Sequence, residues 1–382
     1  MKTYSSMFGN LVLIVFVYIY ALARGDAKNV PSNPKKIIVI HTAKLGDMVC
    51  ATPVFRAIKK HIPGSQVVVV GNKLNNELLS GNKDIDEYIV FEKNFFKLIN
   101  IIRKSNFDFG CVLNLDSYAF SLMFLGGVKA ISLHRIENGF SPFETKTYKV
   151  LRQKGILVPH FMGKYAPREY LRLLEPIGIF TKETKKVLSF SRDADGKVKR
   201  FFAEKRIIAG SDLIVGVSPS SGNKIKNWSP KKFAEVSNHI DKKYKAKVLI
   251  LGGTNDVKEV NEMISFLVPD SKVINTLGVF NIEELKALIS KMDMFISVDT
   301  GPIYIAEAFN IPTIDIVGPM DEREQPPISR LNKIVKIKRQ RPQLHVMNAR
   351  VYDKTEAKKQ IDKITVNMVT QEIDNLFDEI KK

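Results

Sequence analysis

The sequence predicts an α/β protein of two Rossmann-like domains facing each other across a cleft, preceded by an N-terminal hydrophobic segment. Three observations carry that expectation. From Lys36 onward, short apolar runs alternate with helical patterns, the mark of helices packed on a parallel sheet. The alternation breaks off in a polar, charged stretch and then restarts. Loops of glycine and small hydroxyl residues follow several of the apolar runs, and in such sheets ligands bind beyond the carboxyl ends of the strands.

Taken in order, Leu11 to Ala23 (LVLIVFVYIYALA) is an apolar run that Met7 and Phe8 extend. At about 17 residues it is short for a membrane span. Lys2, the apolar stretch and Ala21-Leu22-Ala23 fit a cleavable signal peptide. Arg24, Lys28, Lys35 and Lys36 instead fit an uncleaved anchor, residues 7–23, that keeps the following domain in the cytoplasm. The positive flank favours the anchor.

Lys36–His41 (KIIVIH) reads as a first strand, and Met48, Ala51, Phe55 and Ile58 recur at helical spacing until Pro63-Gly64. Gln66–Val70 and Phe109–Leu115 are further strands, and Arg168–Leu174 is a helix running into Glu175-Pro176-Ile177-Gly178. The second half repeats the plan with strands at Leu213–Val217, Lys247–Leu251, Met294–Val298 and Thr313–Val317 and helices at Pro230–Lys243, Ile282–Lys291 and Pro302–Phe309. The predicted divisions are 1–34 (hydrophobic segment), 35–178 (first domain), 179–205 (linker), 206–350 (second domain) and 351–382 (helical tail).

A net charge of +19 points to an anionic partner: a phosphorylated ligand, an acidic membrane surface or nucleic acid. The lysines are dispersed in pairs such as Lys59-Lys60 and Lys242-Lys243, outside any nucleic-acid-binding module, so no nucleic acid is expected. Phe95, Phe96, Leu98, Ile99 and Ile102 beside Lys97, Arg103 and Lys104 suit either a lipid-facing helix or ordinary core packing. Cys50 and Cys111 have no partner spacing and the six histidines form no close ligand pair, so neither a disulfide framework nor a metal site is expected.

Four groups of loop residues can carry chemistry. In Thr42-Ala43-Lys44-Leu45-Gly46-Asp47, Asp47 either caps the following helix or serves as a general base facing the cleft. In Ser218–Trp228 (SPSSGNKIKNW), the small residues can offer N–H groups to an anion, and Lys224 and Lys226 can neutralise a diphosphate. In Val298-Asp299-Thr300-Gly301-Pro302, Thr300 is placed to bond phosphate and Pro302 suits a first helical turn. Gly252-Gly253-Thr254-Asn255-Asp256 has the same layout, with Asp256 able to accept from ribose hydroxyls. Together they point to a nucleotide site. Asp193-Ala194-Asp195 spells a metal-binding D-x-D pattern but sits in the linker before Gly196, where a turn explains it.

These loops, in this order from Lys36 to about Pro327, resemble glycosyltransferase family nine, the heptosyltransferases of lipopolysaccharide core assembly. The resemblance rests on the GD…TP and DTGP elements together with the K-x-W loop. It implies a GT-B fold, no cofactor, metal-independent inverting transfer, and a nucleotide-diphosphate heptose donor, usually ADP-heptose. It also implies a glycolipid acceptor and a place on the cytoplasmic face of the inner membrane. Carried over by position, Asp47 matches the catalytic aspartate. Ser220, Ser221 and Lys226 match the donor phosphate loop, Asp256 the nucleoside contact, and Asp299, Thr300 and Gly301 the donor-binding element. Lys44, Gly46, Lys224 and Tyr304 are further candidate contacts. Tyr304 stands where many members have a histidine, which leaves open another sugar or a degenerate nucleotide-sugar-binding protein.

Overall fold

The structure is a computed structural model and describes residues 2–91 and 94–380. Lys2–Arg24 form a helix, α1. No helix among the described residues is long and apolar enough to cross a membrane. Instead α1 lies against the first domain. Val17 and Ala21 are buried, and the Arg24 guanidinium donates to the carbonyls of Phe124 and Val128 at 2.6 Å each. Its other side leaves Leu11, Phe16, Ile19 and Leu22 exposed. Met7 and Phe8, counted into the apolar run, lie outside the residues whose side chains are described.

The first sheet is wholly parallel, with strands β1 (Lys36–Ile40), β2 (Gln66–Gly71), β3 (Glu87–Val90), β4 (Phe109–Val112), β5 (Ala130–Asn138) and β6 (Ile156–Phe161) in the order β3-β2-β1-β4-β5-β6. Helices α2 (Leu45–His61), α3 (Lys73–Leu79), α4 (Phe95–Ser105), α5 (Ser117–Leu125), α6 (Lys146–Leu151) and α7 (Ala166–Leu171) connect or flank these strands. Because such helices cover both faces, the central strands are apolar without alternation: Ile37, Ile38, Val39 and Ile40 are all buried. In α4, Leu98, Ile99 and Ile102 go into the core, while Phe96 stays exposed.

The chain then runs in extended form to α8 (Arg192–Glu204), so the predicted linker is half helix. Asp193 and Asp195 therefore lie in the first turn of α8 rather than in a reverse turn. Asp195 bonds Lys199 and Lys291 at 2.7 and 3.0 Å.

The second sheet repeats the first. Its strands β7 (Ile214–Ser218), β8 (Lys247–Ile250), β9 (Ile274–Asn275), β10 (Met294–Val298), β11 (Thr313–Ile316) and β12 (Asn332–Val335) run parallel in the order β12-β11-β10-β7-β8-β9. With α9 (Pro230–Tyr244), α10 (Val257–Ser265), α11 (Ile282–Ile289) and α12 (Gly301–Ala308), this is the same winding as in the first domain. Each sheet reverses its order between its first and fourth strands, β1/β4 and β7/β10, and that is where doubly wound sheets bind ligands.

The segment predicted as a tail is α13 (Lys354–Asp362) and α14 (Val366–Ile380), and both belong to the second domain. Ile361, Ile373, Leu376 and Phe377 fill the same core as Trp228 and Phe233. The Trp228 indole N–H donates to Ile364 O at 2.9 Å, so the only tryptophan anchors this C-terminal return and does not face a ligand.

The domains meet along α2 against α12 and α3 against α11. Gly46 and Gly301 stand at the starts of α2 and α12. A Cβ on Gly46 would come within 2.9 Å of the Tyr304 ring, and one on Gly301 within 2.5 Å of the Leu45 side chain. Buried polar groups tie the same seam. Lys186 Nζ reaches Glu307 at 2.8 Å and the Tyr165 hydroxyl at 2.9 Å. Lys286 Nζ donates to the α3 end at Leu78 O, 2.7 Å, and to Glu77 O and Ser80 O.

Candidate active site

Both switch points open into one cleft of ≈ 1090 Å³. On the first-domain side, Asp47 is the third residue of α2, in its first turn. Lys44, not Asp47, occupies the cap position and makes no side-chain cap bond. The carboxylate is left for other work, in the positive end of the helix dipole. Asp47 Oδ1 accepts from Gln325 Nε2 at 3.2 Å, and Oδ2 accepts no hydrogen bond among the described residues. Behind it, burial holds the His41 imidazole below its ordinary pKa although the charge of Asp47 pulls upward. Beside it, Asn114 donates to Thr42, and Thr42 to Asp116. Asp116 also caps α5 through the N–H groups of Tyr118 and Ala119.

On the second-domain side, Asp299 follows β10 and Lys226 rises from a 3-10 turn at residues 224–226. Lys226 Nζ meets Asp299 Oδ2 at 2.8 Å, and the Tyr304 hydroxyl donates to Asp299 Oδ1. Both oxygens of Asp299 are thus occupied, and Tyr304 is buried under the site. Deeper still, burial and then the neighbouring Asp299 charge hold the Asp315 carboxyl well above the usual carboxylate range. Both causes disfavour a second negative charge beside Asp299. Thr300 occupies the N-cap position of α12 and Gly301 begins the helix, and both line the cleft. Lys44 crosses the interface to Gly222 O at 3.2 Å, and its ammonium is pulled below its ordinary pKa by partial burial and by Lys226.

The fold brings Lys44, Gly46, Asp47, Ser221, Lys226, Asp299, Thr300, Gly301 and Tyr304 into the cleft lining. Ser220, Lys224 and Asp256 are not in it. Ser220 donates to Asp256 Oδ1 at 2.6 Å, Lys224 reaches both at 3.0 and 3.4 Å, and Asp256 Oδ2 accepts from Gly253 N. In this structure these three residues lock the loop after β7 to the loop after β8.

Besides Asn114 and Asp116, sequence reasoning missed two contributors. One is Gln325, in the loop after β11, for which no local pattern gives a signal. The other is the wall formed by residues 344–350 with Phe143, where Arg350 lies 4.6 Å over the Phe143 ring. His345 of that wall bonds Glu324 at 3.2 Å and lies 3.5 Å from Asp321. These three groups have ligand atoms within 4.8 Å of one another, a grouping the sequence spacing does not announce. Their atoms are already engaged: Asp321 by the Arg323 fork, Glu324 by the N–H groups of Gly163 and Val346. His134 and His160 also pair in space, ring centroids 4.7 Å apart, in the buried interior of the first domain.

The glycosyltransferase family 9 (heptosyltransferase) model matches residues 95–352. The chain is 26% identical over 295 residues to lipopolysaccharide heptosyltransferase 3 of Escherichia coli K12, covering 72% of this chain and 80% of that protein. It is 25% identical over 314 residues to the lipopolysaccharide core heptosyltransferase OpsX of Haemophilus influenzae, covering 80% and 85%. Among solved structures, a family 9 glycosyl transferase from Veillonella parvula superposes with a TM-score of 0.75 at 18% identity, over 90% of this chain and 98% of that one. The E. coli ADP-heptose lps heptosyltransferase II gives 0.73 at 18% identity, over 91% and 100%.

The His345 contact yields a pH prediction. Its hydrogen bond to Glu324 raises the imidazole pKa above the ordinary value. The stabilisation is therefore complete below about pH 6.5 and is lost as pH rises through the folded-state pKa. His345→Gln is expected to lower the melting temperature more at about pH 6 than at about pH 9. An equal loss at both would show that the bond gains nothing from the charge.

Proposed function

We propose, from the premise that the chain belongs to glycosyltransferase family 9 and is a glycosyltransferase, that it moves a heptose from ADP-heptose to a lipopolysaccharide core-type glycolipid with inversion at the anomeric carbon. The named relatives are heptosyltransferases of lipopolysaccharide, and a fold neighbour, E. coli heptosyltransferase WaaC, has been solved with ADP-2-deoxy-2-fluoro heptose. The single observation that carries the mechanism is the cleft itself. A half-buried carboxylate, Asp47, faces a cationic wall at Lys226 and the N-terminus of α12.

In this reading the donor diphosphate lies on the second domain, against Lys226, Ser221 and the N–H groups of Thr300 and Gly301 at the start of α12. Asp299 holds Lys226 in place rather than meeting phosphate, since two anions would repel. Asp47 takes the proton of the acceptor hydroxyl as its oxygen attacks the anomeric carbon. The bond to the departing diphosphate breaks, and Lys226 with the helix N-terminus stabilises the charge that develops there. Ser220, Lys224 and Asp256 act on this from outside by fixing the loop that carries Ser221 and Lys226. One observation favours a different sugar within the same chemistry. The hydroxyl of Tyr304 is committed to Asp299, so it is not free to hold the donor as an exposed imidazole would.

The domains we propose follow the two sheets, with the acceptor on the side of the first. The exposed face of α1 supplies membrane contact. No described helix is long and apolar enough to span, but Leu11, Phe16, Ile19 and Leu22 can enter the outer layer of an anionic surface on the cytoplasmic side.

Two outcomes test this. With ADP-heptose, a heptose-acceptor core glycolipid and a chelator present, Asp47→Asn is expected to lower kcat by roughly 10²–10⁴-fold, and Lys226→Ala to raise the donor KM and lower kcat. Undiminished turnover by Asp47→Asn would remove the base. In sedimentation with vesicles containing anionic lipid, Phe16→Ser/Ile19→Ser is expected to release protein that the wild type leaves bound; equal binding would remove α1 from the membrane contact.

A further inference from the structure

The Asp47 side chain meets one hydrogen-bond donor among the described residues, and that donor comes from the other domain. Gln325 sits in the loop after β11, is 7% exposed, and places Nε2 3.2 Å from Asp47 Oδ1. An ionised carboxylate can only accept, so the amide nitrogen must be the group facing it. The loop that presents Gln325 is unusually well fastened for an irregular segment. Its neighbour Glu324 accepts from Gly163 N at 2.7 Å through the side chain and from Ala166 N at 2.7 Å through the backbone, both in the first domain. The Glu324 carboxylate also takes Val346 N and His345, and Pro326-Pro327 stiffen the exit. A side chain on a loop pinned at both ends holds its partner in one orientation at little entropic cost.

We propose that Gln325 is the positioning residue for Asp47: it binds Oδ1 from the second domain and so leaves Oδ2 as the oxygen that receives the acceptor's proton. The proposal rests on the reading of Asp47 as the base. Two consequences follow. The orientation of the base depends on the two domains keeping their present seam, because the base and its holder lie on opposite sides of it. The amide also bonds a charged carboxylate more strongly than a neutral acid, so removing it is expected to change the acid limb of the pH profile.

The test is the acid limb of the kcat/KM profile for wild type, Gln325→Met and Gln325→Glu, with melting temperatures to show that each variant is folded. Gln325→Met keeps the volume and removes the donor. It is expected to lower kcat by about 10- to 100-fold, as loss of a hydrogen bond to a charged group should, and to move the acid limb upward. Gln325→Glu sets a second carboxylate against Asp47 and is expected to move the limb further up, with activity recovering as pH rises. If the limb stays where it is in both variants, whatever happens to kcat, Gln325 is a packing residue and the proposal is overturned. Asp47→Asn, measured alone and combined with Gln325→Met, separates the two readings. If Asp47→Asn is inactive and the limb in the Gln325 variants does not move, only this proposal fails. If Asp47→Asn is fully active, the base reading fails and takes the proposal with it. When both hold, Gln325→Met has no further effect in the Asp47→Asn background.

Discussion

Much of this molecule depends on two glycines that let two helices begin against each other. Gly46 opens α2 and Gly301 opens α12: a methyl group on Gly46 would press on the Tyr304 ring, and one on Gly301 would push aside the end of the Leu45 side chain. This close approach sets the distance between the sheets. The residue after Gly46 is Asp47, and Asp299 lies two positions before Gly301. The contact that joins the domains therefore also brings a carboxylate from one switch point up to the Lys226–Asp299 pair of the other. A larger residue at Gly46 would press on the buried Tyr304 ring at the place where the chemistry of the cleft is assembled.

Polar groups buried along the same seam make the arrangement specific. An unpaired charge removed from water is costly, and losing one partner of a buried pair commonly costs about 3–5 kcal/mol. Lys186 is nearly inaccessible and balanced by Glu307, with Tyr165 completing its bonds. The Lys286 ammonium donates to carbonyls of the α3 end, and burial brings its pKa down to about 8 although the charge of Glu283 pulls upward. A sliding interface would leave both cations without partners. Tyr304 belongs to this seam as much as to the site: its ring packs under Gly46 while its hydroxyl restrains Asp299, which in turn restrains Lys226.

The architecture was legible because parallel strands covered on both faces are read from runs such as VVVV at 67–70 and MFISV at 294–298, which match the observed strands within a residue or so. The loops that follow those strands were legible for the same reason, since chain order alone puts them at the sheet's carboxyl edge. What local pattern could not carry is pairing between distant segments. Nothing in the residues around Trp228 announces that its partner is Ile364, 136 residues on. Ser220 and Asp256, 36 residues apart, come together only in the fold, where they bond each other. Gln325 is one polar residue in GPMDEREQPP, and its meaning exists only when Asp47, 278 residues earlier, is folded against it. The N-terminal run reads as a membrane helix by composition, but Val17, Ala21 and Arg24 find partners on the first domain, which hydropathy does not register.

The central claim is that one carboxylate activates an acceptor hydroxyl directly on a donor held across the cleft, with no covalent glycosyl-enzyme. The anomeric configuration of the product tests this most directly, measured by proton NMR on the glycolipid formed from a β-configured ADP-heptose donor. The account predicts a product of the opposite, α configuration. A β-linked product would require two successive displacements, or attack from the side of the leaving group, and would contradict a single base at Asp47.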